Sequence, residues 1–441
     1  MMHHLFKAGL LSVLLWFPIV SLAACPDLEP YQPGTDPDWE TLALRLAEFR
    51  LDCLDNSEFF AIYGAAQLNT GQLNEAIESL ELALLLNPEN GAALIDYAQA
   101  LIQDGQLFAA ISANDLLLER EDIPPNLASQ VAQRQENWRS LTRQTIWQVD
   151  LGGGFDDNLN GAPEQDFITL TLSGEPISLA LSEEYRAASG SVLNLRAVGR
   201  HRLLTAERQH NFLGELRSRT STTSETELAQ FGARYNFVEG GQSSSWSVSA
   251  GFDHLFLSGK PLFSGISGSI RYTPSSNGSC QRYYGIAFQR QHWHERDQLD
   301  GLESKLGLGS NCSVFSDNKH RLNAEISYLQ NTELEQGRQG GSREGWQAVF
   351  DWEFALRRGV LSAQFNHTRL RDSVGYSPLL SFNARRVTKR NTLLVRYRQS
   401  MPVFGPSAQF IATIYNQAQL SNIGLFQTRD ASAEIGISWQ F

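Results

Sequence analysis

The chain has 441 residues, 36 Lys and Arg against 48 Asp and Glu, and a formal net charge of −12 at pH 7. This length allows two or three domains, and the acidic balance excludes the basic footprint of a nucleic-acid-binding protein. Beyond the first 24 residues no stretch reaches about 18 consecutive apolar residues, so the sequence predicts no transmembrane helix.

Residues 1–24 are predicted to be a signal peptide. Basic residues precede an apolar run over residues 8–20, which is short for a membrane helix, and small residues follow at 21–24. The four residues Leu22-Ala23-Ala24-Cys25 also fit a lipobox, in which Cys25 would carry a lipid. Simple cleavage and lipidation are therefore both open.

Export also bears on the four cysteines of the chain. An oxidising compartment favours disulfides, and the cysteines sort into two pairs, Cys25 with Cys53 and Cys280 with Cys312. The midpoint of the second pair is residue 296, inside the predicted connection 293–298. In a hairpin centred there the two thiols face each other, near disulfide distance.

Residues 57–90 resemble a tetratricopeptide repeat over their full length. Gly64 and Ala76 allow two helices to approach closely, Gly71 breaks the chain between them, and Pro88 ends the second. Residues 91–124 repeat the pattern more loosely, and residues 36–54 and 126–145 are predicted to be flanking helices. We therefore expect a short helical solenoid over residues 25–145.

The first helix of each repeat lines the concave face of such a solenoid. This spacing makes a peptide-binding groove one reading of the region, and a scaffold that only docks on the rest of the protein the other. The candidate groove residues are Glu58, Asn69, Ile95, Gln99 and Gln103.

From residue 146 to 441 apolar and polar residues alternate in segment after segment. In one segment Trp346, Ala348 and Phe350 stand on one face, while Gln347 and Asp351 stand on the other. About fourteen such segments of 10–16 residues can be counted, which exceeds the usual strand length of about 5–6 residues and suits a tilted membrane crossing. The fold class predicted for the whole chain is α + β multidomain: a short tetratricopeptide solenoid followed by an antiparallel outer-membrane β-barrel of about 14 strands.

The last predicted strand, residues 430–441, carries an apolar face and ends on Phe441. It resembles the closing strand of bacterial outer-membrane barrels, which implies recognition by the barrel assembly machinery. Every second connection between strands is short, and with the helical region in the periplasm these would be the periplasmic turns.

The predicted inward faces carry charges of both signs. A conduit for a uniformly charged polymer is expected to be biased to the opposite sign, whereas mixed charge suits internal ion pairs or unfolded polypeptide. The candidate lumen-lining residues are Arg196, Arg217, Arg234, Glu325, Asp351, Glu353, Arg396 and Glu434.

No catalytic or cofactor motif is found, so we expect no enzyme activity, no cofactor and no metal. Asp156-Asp157-Asn158 offers oxygen ligands for calcium, although a solvated loop entry is favoured. His292 and His294 share a strand face at a predicted external tip, where two histidines could hold a metal, but the sequence shows no third ligand. With Glu295 and Asp297 they also keep open a rim-type hydrolase as the less favoured reading.

An exported chain with a few tetratricopeptide repeats and a barrel of roughly 290 residues resembles the surface lipoprotein assembly modifier (Slam) family. The resemblance covers residues 57–441 and includes the barrel-opening stretch Gly152–Asn160, with its three glycines and its D-x-N loop, and the terminal Trp439–Phe441. It implies an outer-membrane factor that delivers lipoproteins or secreted proteins to the cell surface, in contact with lipid and a client. The lipobox at Cys25 is not expected of that family.

Two alternatives remain open at this stage. An exopolysaccharide export porin also joins such repeats to a barrel, although its repeat array is usually long. A binding or adhesion barrel without transport would use the predicted loop over residues 158–190.

Overall fold

A computed structural model describes residues 25–32, 37–222, 224–240, 244–276, 278–314 and 319–441. The predicted signal peptide, residues 1–24, lies outside the described residues. The chain divides into two compact units, one that ends at Arg139 and one that runs from Ser140 to Phe441. The predicted α + β fold class, helical repeats followed by an antiparallel barrel, is confirmed.

The first unit contains six helices within the described residues. Asparagines cap two of them: Asn56 accepts a hydrogen bond from the Phe59 amide and Asn90 from the Ala93 amide.

None of the described helices is long and apolar enough to cross a membrane. The helices are α1 (Trp39–Phe49), α2 (Ser57–Asn69), α3 (Leu73–Leu86), α4 (Gly91–Gln103), α5 (Leu107–Leu118) and α6 (Pro125–Leu141).

The helices α2 and α3 pack closely because Gly64 has no side chain. A Cβ at this position would lie 2.6 Å from Cγ of Leu80 in the facing helix. Gly71, with φ of +79°, makes the turn between the two helices. Phe59, Phe60 and Leu80 are almost fully buried in the resulting core.

The second unit is a closed barrel of fourteen antiparallel strands, in the order β1-β16-β15-β14-β13-β12-β11-β10-β9-β8-β7-β6-β5-β4, with β2 and β3 forming a separate hairpin. The strands are β1 (Arg143–Asp156), β2 (Phe167–Leu172), β3 (Glu175–Ala180), β4 (Gly190–Leu204), β5 (Arg208–Ser221), β6 (Leu228–Gly240), β7 (Ser244–Leu257), β8 (Lys260–Pro274), β9 (Cys280–Trp293), β10 (Gly301–Val314), β11 (His320–Glu333), β12 (Arg343–Ala355), β13 (Gly359–Asp372), β14 (Val387–Ser400), β15 (Gln409–Ser421) and β16 (Thr428–Gln440).

The two faces of the barrel wall differ in polarity, as the alternation predicts. Apolar side chains point outward and stay exposed: Leu306 is 64% exposed, Ile414 61% and Trp147 59%. Such an outward apolar band is unfavourable in water and favourable in a bilayer, where a closed sheet leaves no backbone edge unpaired. The wall is therefore that of a membrane-spanning barrel.

Both predicted disulfides are present. Cys25 is bonded to Cys53, and Cys280 to Cys312, which stands directly opposite it on β10. A sulfur atom engaged in a disulfide cannot also carry the thioether of a lipid anchor, so the lipobox reading of Cys25 conflicts with this pairing.

The strand connections alternate between the two ends of the barrel. We call the end with connections 157–189, 334–342 and 373–386 the loop end, and the opposite end the turn end. The connection 258–259 at the loop end is a two-residue turn, in which Ser258 and Gly259 both have positive φ. The hairpin β2–β3 within 157–189 was not predicted, and it gives this loop a structure of its own.

Candidate functional site

The interior of the barrel is a polar surface, and ion pairs cover part of it. Arg196 on β4 links two acidic side chains: its Nη1 lies 3.1 Å from Oδ2 of Asp150 on β1, and its Nε lies 2.6 Å from Oε1 of Glu215 on β5. Arg217 forms a second ion pair with Glu215. Since the side chains of Asp150, Arg196 and Glu215 are only partly exposed, their pairing is screened less than on an open surface.

The facing side of the interior, built by β8 to β11, carries a second network. Nζ of Lys305 lies 2.6 Å from Oε1 of Glu325. The hydroxyl of Tyr283 lies 3.0 Å from both Oε2 of Glu325 and Oδ1 of Asn323, while the guanidinium of Arg271 lies 4.4 Å from the centre of its ring. Tyr283 did not stand out in the sequence, although its alternation with Tyr284 already places it inward.

Toward the turn end the interior opens into a cavity of about 620 Å³. Its lining includes Arg321, Asn323, Asp351, Glu353 and Gln364. Asn323 donates a hydrogen bond to Oδ2 of Asp351 at 2.9 Å. The cavity therefore offers an occupant both hydrogen-bond donors and hydrogen-bond acceptors, from charged and from amide side chains.

The remaining predicted lumen residues lie on the same inward face. Nε of Arg396 on β14 lies 3.4 Å from Oγ1 of Thr413, and Glu434 on β16 pairs in register with Thr413 and with Gly154. Arg234 on β6 is exposed and opposes Gly251 on β7. The structure thus spreads the predicted charges around the whole wall and does not gather them in one site.

At the loop end the D-x-N motif fastens the first loop to the last strand. Asn158 is buried and donates hydrogen bonds to the carbonyl oxygens of Arg429 at 2.7 Å and Ala162 at 3.0 Å. Asp156 accepts from the Asn158 amide and forms an ion pair with Arg219 at 3.0 Å. The motif therefore has a structural use.

The carboxylates of this region also come close to one another. Ligand oxygens of Asp156, Asp157 and Asp430 lie within 4.8 Å. Asp157 accepts a hydrogen bond from the Ala431 amide at 2.7 Å, so protein donors already use part of this oxygen surface.

A cluster of arginines lies at the loop end, near β13 and β14. Arg386 is 3.2 Å from Oδ2 of Asp372, which is 2% exposed, and its guanidinium stacks on the rings of Tyr376 and Phe426 at 4.6 and 4.4 Å. Arg338, in the connection 334–342, is also buried. Loop side chains therefore pack into the mouth of the barrel at this end.

The candidate groove residues of the helical unit have different environments. Glu58, Asn69 and Gln103 are exposed, whereas Ile95 and Gln99 are partly buried. Glu58 already accepts a hydrogen bond from Gln32 at 2.7 Å. The helices bring no acidic or basic cluster to these five positions.

A buried polar network lies nearby, between α4, α5 and α6. Nε of Arg134 donates to Oδ1 of Asn114 at 2.8 Å, and its guanidinium lies 4.8 Å from the ring centre of Trp138. Burial raises the pKa of Asp96 to about 6, against an opposing attraction from Arg134. This network could not be predicted from the sequence, because its members lie on three separate helices.

Comparison with known protein families agrees with the helical repeats of the first unit. Residues 68–133 match the tetratricopeptide repeat family, and no curated protein matches the chain. Within the described residues the chain is thus a tetratricopeptide-repeat unit joined to a fourteen-stranded membrane barrel. The resemblance to the surface lipoprotein assembly modifier family stays a prediction.

Three solved structures are among those to which parts of the chain are similar. The type III secretion chaperone SycD of Yersinia enterocolitica, in complex with a peptide of the translocator YopD, is 23% identical over 23% of this chain and 81% of that chain, with a TM-score of 0.22. The anion-selective porin from Comamonas acidovorans is 9% identical over 68% of this chain and 100% of that chain, with a TM-score of 0.35. A bacterial polysaccharide outer membrane secretin is 11% identical over 67% and 98%, with a TM-score of 0.34.

Proposed function

We propose that this protein is an outer-membrane assembly or translocation factor that delivers lipoproteins or secreted proteins to the cell surface, with its helical unit in the periplasm. The observation that carries the proposal is a barrel interior with ionic groups of both signs, in the same chain as a tetratricopeptide unit. The client, the lipid contact and the barrel assembly machinery are the partners it implies.

The charge pattern of the interior supports a polypeptide cargo. Positive and negative groups both line the wall, as in the Asp150–Arg196–Glu215 chain and the Lys305–Glu325 pair. A uniformly charged polymer would be repelled by half of these groups, whereas an unfolded polypeptide carries both signs and many amides. The cavity lined by Gln364 and Asp351 offers partners for both.

The helical unit supports the same proposal. Its candidate groove positions combine an apolar side chain, Ile95, with exposed amides at Asn69 and Gln103. Such a mixed surface suits an extended peptide, which presents backbone amides and apolar side chains together.

Site-specific photocrosslinking tests the path of the cargo directly. A photoreactive amino acid at Gln364, which lines the 620 Å³ cavity, is expected to capture a protein client. The matched control is Phe365, the next residue of the same strand, which points outward and is 41% exposed. A client captured equally from both positions, or from neither, contradicts passage through the lumen.

Deletion of the gene tests the function as a whole. We expect loss of one or a few proteins from the protease-accessible surface, measured by protease shaving and mass spectrometry, with restoration by the wild-type chain. Cell-surface polysaccharide is measured in parallel and is expected to stay unchanged. Unaltered surface proteins with a loss of polysaccharide would show that the chain exports polysaccharide instead.

A further inference from the structure

Three histidines meet on the outward face of the barrel near the loop end, outside the interior described above. They come from β7, from β9 and from the residue just beyond β9: His254, His292 and His294. The register explains the meeting, because His254 stands directly opposite Ser264 on β8, and Ser264 stands directly opposite His292 on β9. Two histidines therefore flank one small serine in a single row across three strands.

The ring spacing suits a common metal ion. The ring centres of His292 and His294 are 4.7 Å apart, and those of His254 and His294 are 5.4 Å apart. Zinc binds imidazole nitrogen at about 2.0–2.1 Å, and the ring centre lies ~1.2 Å further out, so two ligands at a tetrahedral angle have ring centres roughly 5 Å apart. The observed distances lie on either side of this value.

Each histidine has one nitrogen engaged by the protein and one left for a ligand. Nδ1 of His254 lies 2.7 Å from Oγ of Ser264, and Nε2 of His294 lies 2.8 Å from the same oxygen. Nδ1 of His292 lies 2.7 Å from Oδ2 of Asp300. The hydrogen bond between His292 and Asp300 is typical of metal-binding histidines, whose second nitrogen donates to a carboxylate that orients the ring.

Asp300 is held firmly enough to orient a ligand. It is 9% exposed, and its second carboxylate oxygen accepts a hydrogen bond from the Trp293 amide at 2.8 Å. On the other side of the row, the ring of Phe256 packs against His254 at 4.4 Å. Both flanking histidines are thus supported by the fold.

We propose that His254, His292 and His294 form a site for a divalent transition-metal ion of the zinc class on the outer rim of the barrel. Imidazole ligands without thiolate or clustered carboxylates favour Zn²⁺, Cu²⁺, Ni²⁺ or Co²⁺ over Mg²⁺ or Ca²⁺. In this structure the nitrogens of the three rings do not all lie within 4.8 Å of one another. Binding of one ion therefore requires the rings of His254 and His294 to turn from the Ser264 hydroxyl toward the ion, and the small side chain of Ser264 leaves room for it. Asp300 acts as a positioning residue for His292.

The site is tested by Zn²⁺ titration of the full-length protein, folded in detergent and purified with a histidine-free tag. We expect one Zn²⁺ per chain, and a loss of affinity of at least about 10-fold in each of H254Q, H292Q and H294Q. D300N is expected to weaken binding by about 10–100-fold, the usual effect of removing a partner of a metal-bound histidine. Heat-modifiable migration on gels verifies that each variant barrel is folded.

H367Q is the matched control, since His367 is also a strand histidine and its Nδ1 bonds to Asn391, away from this cluster. It is expected to bind Zn²⁺ like the wild type. Replacement of Zn²⁺ by Co²⁺ should give the visible absorption of a nitrogen-ligated ion in the wild type and lose it in H254Q. Absence of stoichiometric Zn²⁺ binding by the wild type, or binding by all three histidine variants with the affinity of the wild type, would overturn the proposal and leave the cluster as part of the aromatic rim. Neither result affects the proposed transport function.

Discussion

Gly309 on β10 controls how the inward ring of Tyr283 packs against the barrel wall. A Cβ at this position would overlap Cζ and Oη of Tyr283, and it would lie 2.8 Å from the backbone oxygen of Ala324. We expect Gly309→Ala to destabilise the barrel by about 1–3 kcal/mol, the usual cost of overpacking. The measurement is the temperature at which the folded gel band converts to the unfolded one.

Gly214→Ala is the control for this prediction, because a Cβ at Gly214 meets no atom within 4 Å. We expect its conversion temperature to equal that of the wild type. A conversion temperature of Gly309→Ala equal to that of Gly214→Ala would mean that the ring of Tyr283 can move aside freely.

Asp96 gives the helical unit a pH-dependent stability. Burial raises its pKa to about 6 in the folded state, above the value of about 4 of an unfolded aspartate. The folded state therefore binds the proton more tightly, so this contribution to stability is complete below pH 4 and is lost as the pH rises to about 6. We expect Asp96→Asn to raise the free energy of unfolding by roughly 1–3 kcal/mol at pH 7.5 and to change it little at pH 4.

Thermal unfolding of the full chain, followed by circular dichroism at 222 nm, measures this difference. Asp55→Asn is the control, since Asp55 is exposed. An identical gain for Asp96→Asn at pH 4 and pH 7.5 would assign the effect to a cause other than protonation of Asp96.

At the scale of elements, Asn158 is expected to hold the first loop in place. Its buried amide contacts the backbone of Arg429 and Ala162, and β2 continues across to the connection 373–386, where the Thr171 amide donates to the carbonyl oxygen of Leu379 at 2.8 Å. Loss of the Asn158 side chain leaves the carbonyl oxygens of Arg429 and Ala162 without these hydrogen bonds. We expect Asn158→Ala to increase trypsin cleavage after Arg186 several-fold, measured on the purified folded protein.

Gln165→Ala is the matched control in the same loop, because Gln165 is exposed and its amide contacts Gln427 at 3.2 Å. It is expected to be cleaved at the wild-type rate. Equal cleavage of both variants would mean that Asn158 does not hold the loop in place and that the hairpin β2–β3 does.

The strands were predictable from the sequence because the alternation of apolar and polar residues is visible within each segment by itself. Alternation in a segment such as 346–354 fixes which side chains face lipid, and the count of fourteen and the Cys280–Cys312 pairing follow from segments that are consecutive in the chain. The hairpin β2–β3 was missed because its stability depends on contacts with the connection 373–386, about 200 residues away.

The histidine cluster could likewise be predicted only in part from the sequence. The sequence places His292 and His294 on one face, since they are two residues apart. His254 joins them only through the registers of β7 with β8 and of β8 with β9, and Asp300 only through the fold of a loop. Alternation predicts which face a residue occupies, but it does not predict which residue on the next strand lies opposite.

For the whole molecule, the division into two units predicts that the barrel assembles without the helices. Each unit has a core or a closed hydrogen-bonded sheet of its own, and the boundary falls between Arg139 and Ser140. A chain in which a signal peptide is fused directly to Ser140 is therefore expected to reach the outer membrane and to migrate as a heat-modifiable band. Because the proposed client groove is missing, we expect it to leave the surface proteins as depleted as the full deletion does, measured by protease shaving. Full display of surface proteins by this shortened chain would show that the barrel alone recognises the client, whereas failure of the band to form would show that the helices are needed for barrel assembly.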